Sequence, residues 1–235
     1  GTVFMDVYVR PGDSFWYYSQ LFRIPLQLII DSNRNINPQT IQQGQRIQIP
    51  AYVAQNYQIK SGDSLWSIAM SRNLPLDTLF LINPNLNPNR LQIGQTIQVP
   101  LRITWRLVNG KQNYTYEVMM NDIQRLQTVY PFLQVSSIGN SVLNRSIPEV
   151  LIGIGDKRVA YNGSIHANEW ITTPTIMTFL NDYALSLTNQ TTIRGLITSP
   201  LYEQTSLSIV PMVNPDGVNL VLNGPPELEP YRSNV

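Results

Sequence analysis

The chain of 235 residues has no cysteine and a single histidine, His166. The lack of cysteine excludes disulfide scaffolds and cysteine-ligated zinc sites, but it does not fix the cellular compartment. Charged residues are also scarce, at 13% of the chain, and the net charge is +1. Such a balance gives no electrostatic sign of nucleic-acid or anionic-membrane binding, so we expect no nucleic-acid partner.

Long apolar runs are absent too. No segment approaches the roughly 18–20 apolar residues that span a bilayer, so we predict no membrane span. The first residues lack a basic segment followed by an apolar one, so no secretory signal is predicted. We interpret residues 1–6 as an N-terminal remnant. An apolar content of 43% is that of globular protein, and the length allows two or three domains.

The chain does contain an internal repeat. A shift of fifty positions superimposes residues 7–50 on residues 57–100 without a gap. Identical residues run along the whole alignment, and this indicates duplicated modules joined by a linker at residues 51–56. The main matches are Gly12-Asp13-Ser14 with Gly62-Asp63-Ser64, Trp16 with Trp66, Pro25-Leu26 with Pro75-Leu76, Asn33 with Asn83, Asn37-Pro38 with Asn87-Pro88, Gly44-Gln45 with Gly94-Gln95, and Pro50 with Pro100.

Each repeat has a readable internal plan, shown here for the second. A short strand leads into a Gly-Asp turn, after which Ser64 stands at the N-cap of a first helix. Pro75 is placed to open a second helix that runs to about Asn83. An alternating segment from Gly94 predicts a closing strand, which Pro100 ends. The predicted order is strand, helix, helix, strand.

These motifs resemble the LysM family over both repeats. The resemblance implies binding of N-acetylglucosamine-containing glycans, such as peptidoglycan or chitin, in a groove between the first turn and the loop after the second helix. Two weak sites on one chain raise avidity. The alternative is that these motifs only form turns. The implied glycan-binding residues are Gly12, Asp13, Ser14, Phe15, Asn33, Asn35, Ile36, Gly62, Asp63, Ser64, Leu65, Asn83, Asn85 and Leu86.

A different pattern begins after the second repeat. Residues 104–235 alternate apolar runs typical of strands with stretches of helical periodicity, which predicts an α/β layer fold. We predict helices at 117–130 and 175–187, and strands at 132–137, 149–153, 158–165 and 207–213.

The candidate metal-ligating residues of this third segment lie at the end of a predicted strand. His166 and Glu169 are three residues apart, so an imidazole and a carboxylate can converge on one cation there. The pattern alone also fits a surface pair or a core histidine.

The surrounding motifs resemble the first half of the carboxypeptidase A-like zinc peptidase family. The resemblance implies that His166 and Glu169 are the first two ligands of a Zn²⁺ cofactor, with a second histidine as the third ligand. The matching segments, in order over about residues 114–217, are Tyr116-Glu117, Tyr130-Pro131-Phe132, Ser137-Ile138-Gly139, Arg145-Ser146-Ile147, the run from Ile165 to Trp170, and the run from Val210 to Gly217.

Two departures from that family are informative. Asn168 stands where the family commonly has a substrate-binding arginine, so the sequence looks closer to the branch that cuts γ-D-glutamyl–meso-diaminopimelate bonds in peptidoglycan. No catalytic residue is identified after Gly217, and Glu227 and Glu229 lie in a proline-rich segment typical of a surface loop. We expect the general-base glutamate beyond Val235, in a C-terminal remainder of the peptidase domain that acts as a partner.

The sequence therefore predicts a multidomain α/β protein: two βααβ LysM repeats and a partial α/β zinc-carboxypeptidase domain with a mixed sheet. The predicted function is zinc-dependent hydrolysis of stem peptides, with the LysM repeats binding peptidoglycan. We expect a cell wall-associated or secreted protein, while the absence of a signal leaves the cytoplasm of a sporulating cell open. The alternatives are a non-catalytic glycan-binding protein with a peptidase remnant, and a chitin-directed LysM protein.

Overall fold

A computed structural model describes residues 4–225. These residues form two compact units. One contains the residues up to Thr104 together with Thr128–Phe132, and the other contains Trp105–Gln127 and the residues from Leu133 onward. Within residues 4–225, no helix is long and apolar enough to cross a membrane.

The first unit contains the two repeats, each built as predicted from strand, helix, helix and strand. Its elements are β1 (Phe4–Tyr8), α1 (Phe15–Phe22), α2 (Leu26–Asp31), β2 (Arg46–Gln58), α3 (Leu65–Ser71), α4 (Asp77–Ile82) and β3 (Thr96–Arg102).

The two repeats share one strand. β2 is 13 residues long, and it lies between β1 and β3 in an antiparallel sheet of order β1-β2-β3. Its first part closes the first repeat and its second part opens the second. The predicted linker at 51–56 joins the repeats as part of this continuous strand, and residues 52–56 pair with β3. Ala51, fully buried with a φ of 65°, marks the changeover, and its carbonyl accepts the N–H of Ile103 at 2.8 Å.

Two predicted boundaries also change. Residues 4–6 of the predicted N-terminal remnant belong to β1, in which Asp6 pairs with Gln48 of β2. The closing strand does not end at Pro100, which pairs with Ala54 while β3 continues to Arg102. Because β3 is an edge strand of this three-stranded sheet, a residue without an N–H is tolerated there.

The predicted helix start at Ser64 is confirmed. Its hydroxyl accepts the N–H of Ser67 at 3.0 Å, and the Ser67 hydroxyl accepts the N–H of Ser64 at 3.0 Å, which is a capping box. Ser14 caps α1 in the same position, accepting the N–H of Tyr17 at 3.0 Å. The apolar positions of the second repeat then form its core, with Ile68 and Leu79 almost fully buried.

An ionic cluster ties the first repeat to the second. The guanidinium of Arg10 contacts both carboxylate oxygens of Asp77 at the start of α4, at 2.7 and 2.9 Å. The same guanidinium also bonds Asp13 in its own repeat at 3.1 Å, and the Tyr17 hydroxyl donates to Asp77. The Arg10 hydrogen bond is the largest cause of the lowered pKa of Asp77.

A second tie lies at the other end of α1. Arg102 donates from Nη1 to the carbonyl of Phe22 at 2.9 Å and to the Tyr52 hydroxyl at 2.8 Å, and that hydroxyl donates to the same carbonyl at 2.9 Å. The Arg102 guanidinium also lies 5.3 Å from the Tyr52 ring centroid. The last carbonyls of α1 thus find donors in the other repeat, as a helix C-terminus requires.

The second unit is the predicted α/β segment. Its elements are α5 (Tyr116–Val129) except for the last two residues of that helix, β4 (Gln134–Asn140), β5 (Ser146–Ile152), β6 (Lys157–Asn162), α6 (Thr172–Asn189), the hairpin β7 (Thr192–Ile193) and β8 (Leu196–Ile197), α7 (Ser199–Gln204), β9 (Thr205–Val210) and α8 (Pro215–Asn223).

Its four-stranded sheet is mixed, as predicted. The order is β4-β5-β9-β6, with β6 parallel to β9 and the other pairs antiparallel. Because successive side chains of a strand point to opposite faces of the sheet, Val150, Ile152, Leu207 and Ile209 lie on a buried face. The two predicted helices and four predicted strands are all present, with shifted ends. The β7–β8 hairpin, α7 and α8 were not predicted.

The Arg10–Asp77 pair predicts a measurable coupling between the repeats. In a double-mutant cycle of Arg10→Gln and Asp77→Asn, we expect a coupling of about 0.5–1 kcal/mol in the free energy of unfolding, the range for partly exposed pairs. Because the pKa of Asp77 is lowered, this term is present above the ordinary aspartate pKa of about 3.9 and is lost as pH falls through the folded value.

The matched control is the Asp6–Arg46 pair, which lies within the first repeat and whose arginine is 55% exposed. Its cycle is expected to give a smaller coupling. Urea unfolding at neutral and acid pH measures both pairs. Additive effects of the Arg10 and Asp77 substitutions at neutral pH would contradict the assignment.

Candidate metal centre and glycan surface

The predicted metal-binding residues share one turn. After β6 the chain passes Gly163 and Ser164 and reaches His166, which is followed by a single 3-10 turn, Ala167–Glu169. His166 Nδ1 lies 3.2 Å from Glu169 Oε2, and the side chains are 73% and 50% exposed. The two donor atoms therefore face each other at the surface.

Hydroxyl groups hold this turn against the start of α6. Thr172 Oγ1 accepts the N–H of Ser164 at 2.8 Å and donates to the carbonyl of Glu169 at 2.8 Å. Ser164 has a positive φ of 51°, and its hydroxyl lies 2.6 Å from that of Thr173. The left-handed residue reverses the chain after β6, and the two threonines fix the turn that carries His166.

The N-terminus of α8 supports the turn from the other side. The N–H of Asn214 donates to the Ser164 carbonyl at 3.0 Å, and its side-chain amide donates to the Ile165 carbonyl at 3.3 Å. The same side chain caps the helix, accepting the N–H of Gly217 at 2.9 Å. A Cβ added at Gly217 would lie 2.9 Å from the Ala167 Cβ, so only glycine allows this close approach.

Asp216 anchors the start of α8 to the segment between β4 and β5. Its carboxylate accepts from the Ser141 hydroxyl at 2.8 Å, the Leu143 N–H at 2.9 Å and Arg145 Nη1 at 2.6 Å. Burial alone would raise the pKa of Asp216, but these three donors outweigh it and the net pKa is lowered. The fold thus stabilises the ionised carboxylate of Asp216.

His166 and Glu169 have the donor atoms expected of two zinc ligands. A neutral imidazole nitrogen and a carboxylate oxygen are ordinary zinc donors, and here they converge on one point of the surface. Within residues 4–225, no group of three His, Cys, Asp or Glu residues is placed to hold a metal. Asn168, the predicted substrate-binding residue, is exposed between the two ligands.

The side chains of Asn33 and Asn83 are engaged by the fold. The Asn33 amide donates to the carbonyls of Ile29 and Gln48, at 2.8 and 2.9 Å, and its oxygen accepts the N–H of Gln48 at 2.8 Å. Asn83 makes the corresponding bonds in the second repeat. Each asparagine therefore clamps the loop after its second helix to the closing strand, and its backbone N–H and C=O are also bonded within the same repeat.

Other predicted glycan residues also have structural roles. Phe15 and Leu65 are 2% and 5% exposed core residues. Asp13 accepts the Tyr18 hydroxyl at 2.9 Å, and Asp63 accepts the Tyr57 hydroxyl at 2.8 Å. Among the predicted glycan residues of the two first turns, Gly12, Gly62 and Ser64 are exposed.

A shallow pocket of about 310 Å³ lies at the second repeat. The predicted residues Asn83, Asn85 and Leu86 line it, as do Ile82 and Pro84 of the same loop. The pocket's other wall is the start of β3, which the sequence analysis identified as a strand but did not assign to glycan binding. Those further lining residues are Gln95, Thr96 and Ile97.

Comparison with known families agrees with this geometry. Residues 7–50 and 57–100 match the LysM domain, and residues 119–234 match the zinc carboxypeptidase family, Peptidase_M14. The chain carries two LysM domains and part of a zinc carboxypeptidase domain. Two LysM domains and a zinc-peptidase segment are thus confirmed.

Two related proteins cover different shares of the chain. Gamma-D-glutamyl-L-diamino acid endopeptidase 1 of Lysinibacillus sphaericus is 75% identical over 229 residues, 97% of this chain and 58% of that protein. The uncharacterized protein YqgT of Bacillus subtilis (strain 168) is 39% identical over 127 residues, 53% of this chain and 34% of that protein. The matched part of the chain thus spans 58% of the length of the first relative and 34% of the second.

A solved metallo-carboxypeptidase from Burkholderia cenocepacia is 17% identical. The alignment covers 57% of this chain and 35% of that chain, with a TM-score of 0.39. At that score the likeness carries no argument about the metal centre.

The packing of Gly217 against Ala167 yields a prediction. Gly217→Ala places a methyl group against Ala167 and the Asn214 side chain, so it should destabilise the second unit by about 1–3 kcal/mol, as overpacking does. Hydrogen exchange at the Glu169 and Asn214 amides should accelerate. Val221→Ala, on the exposed side of α8, is the control and should leave both amides protected. Unchanged exchange in Gly217→Ala would show that the helix does not brace the turn.

Proposed function

We propose that this chain is part of a cell-wall zinc peptidase that hydrolyses γ-D-glutamyl–meso-diaminopimelate bonds in peptidoglycan stem peptides. The observation that carries the proposal is the facing of His166 Nδ1 and Glu169 Oε2 at 3.2 Å in an exposed turn of a zinc-carboxypeptidase segment. The 75% identity to a gamma-D-glutamyl-L-diamino acid endopeptidase supports the choice of bond.

The residues of this chain have distinct roles in the proposal. His166 and Glu169 hold zinc, which when bound polarises a carbonyl and acidifies a water molecule. Asn168, between them, contacts the substrate in place of the arginine of ordinary carboxypeptidases. Asp216 and Asn214 position the turn without touching the substrate, through the N-terminus of α8.

The remaining parts of the activity come from outside this chain. A further polypeptide, the C-terminal remainder of the same domain, supplies the third ligand and the general-base glutamate. This fits the chain's coverage of 58% of its endopeptidase relative. The LysM domains bind the glycan strand of peptidoglycan, so the protein works at the cell wall.

The metal mechanism predicts a sharp loss of activity. In the longer enzyme, His166→Ala and Glu169→Gln should each lower hydrolysis of a γ-D-glutamyl–diaminopimelate muropeptide at least about 100-fold, since each removes a zinc ligand. A chelator should abolish activity and added zinc should restore it. Glu203→Gln, an exposed glutamate of the same unit, is the control and should keep full activity. Chelator-resistant cleavage would exclude the metal mechanism.

Glycan targeting is tested separately on the present chain. We expect it to sediment with purified peptidoglycan and to be released by soluble N-acetylglucosamine oligomers, because the exposed loop backbones recognise acetamido groups. Sedimentation with chitin alone would favour a chitin-directed protein. A chain that sediments with neither polymer would contradict the glycan proposal.

A further inference from the structure

The first turns of the two LysM domains lie at opposite ends of one strand. β2 begins at Arg46, which pairs with Tyr8, the last residue of β1 before the first turn of the first repeat. It ends at Gln58, which pairs with Thr96 and leads into the first turn of the second repeat. Each first turn is therefore attached at its own end of β2.

The second wall of each glycan groove lies at the same end as its first turn. Asn33 clamps the loop after α2 to Gln48, near the start of β2. Asn83 clamps the loop after α4 to Gln98, which pairs with Asn56 near the end of β2. The 13 residues of β2 thus separate two grooves, and at about 3.3 Å per residue they span at most roughly 40 Å.

The two elements that connect the grooves offer no open path for a sugar chain. Residues 49–52, at the centre of β2, are all buried. α4 is the other connection, because Asp77 at its start bonds Arg10 beside the first turn of the first repeat, and its end leads into the loop at Asn83. None of the residues of α4 is exposed. The grooves are therefore separate sites along both connections.

The two grooves also differ in orientation. β1 opens the first repeat and is antiparallel to β2, whose second part opens the second repeat, so the opening strands run in opposite directions. A glycan strand is polar, with a reducing and a non-reducing end. A glycan parallel to β2 would enter the second groove in the reverse direction. A glycan across the sheet would occupy two separate lines, one at each end of β2. One straight glycan strand therefore fills one groove only.

The joint between the repeats holds this arrangement in place. A flexible linker would let both modules turn toward the same glycan strand. Here the connection is a paired strand, and two arginines add bonds from one repeat to the other. Arg10 contacts Asp77 at 2.7 Å, and Arg102 donates to the Phe22 carbonyl at 2.9 Å.

We propose that the LysM pair bridges two glycan strands, with one strand in each groove. The partner is a pair of neighbouring N-acetylated glycan strands, as in a layer of wall polymer. The inference rests on the proposed glycan binding and adds to it the number and the arrangement of the strands. The gain in avidity then depends on strands that lie side by side, and a long isolated strand does not provide it.

Counting bound ligands and measuring bundling test the bridge together. Native mass spectrometry with chitohexaose should show two oligomers per chain at saturation. Mixed with purified glycan strands freed of stem peptides, the chain should raise the turbidity to a maximum. The turbidity should fall again in excess chain, because separate chains then fill the sites on each strand. A single bound oligomer, or glycan strands that stay soluble at every ratio, would overturn the inference.

Variants with one altered groove give the second test. Ile36→Ala and Leu86→Ala shorten equivalent apolar side chains of the two grooves, so each should leave one tightly bound chitohexaose and abolish bundling. Gln39→Ala and Asn89→Ala, at equivalent exposed positions further along the same segments, are matched controls and should keep both properties. Thermal unfolding checks the fold, because Leu86 also packs against the core of its repeat. Variants that lose one oligomer and still bundle strands would contradict the bridge.

The outcomes separate this inference from the proposed function. If the wild-type chain binds chitohexaose and does not bundle glycan strands, the bridge is wrong and the glycan proposal stands. If the wild-type chain binds no glycan, both fail.

Discussion

The candidate metal centre depends on the hydrogen bonds between the turn after β6 and the N-terminus of α8. The N–H of Asn214 bonds the Ser164 carbonyl, and Asp216 fixes the helix start to the segment between β4 and β5. Without these contacts only the hydroxyl groups at the start of α6 would hold the turn in which the His166 and Glu169 donor atoms lie 3.2 Å apart. Preorganised ligands are what a metal site requires of the protein.

In the first unit, the fold holds the two LysM domains together. Two modules that bind weakly on their own gain from being held together. Here β2 runs through both repeats, and Arg10 and Arg102 each bond across from one to the other. The repeats are therefore joined by a paired strand and charged hydrogen bonds, and no flexible linker separates them.

Much of the fold could be predicted from the sequence, since local signals are strong where a residue type or spacing favours one structural position. Ser64 as an N-cap and the helical periodicity that gives α5 are examples. The paired strand at 51–56 was missed because its pairing depends on β3, more than forty residues along the chain. α8 was missed because Asn214, Pro215 and Gly217 fit a turn as well as a helix start, and only packing against Ala167 decides between them.

We propose above all that His166 and Glu169 hold the same zinc ion. A crystal of the longer enzyme with zinc, measured at the zinc absorption edge, tests this most directly by anomalous scattering. We expect one strong peak at roughly 2.0–2.2 Å from an imidazole nitrogen of His166 and from a carboxylate oxygen of Glu169. A zinc peak held by other residues, with this turn left free of metal, would contradict the claim.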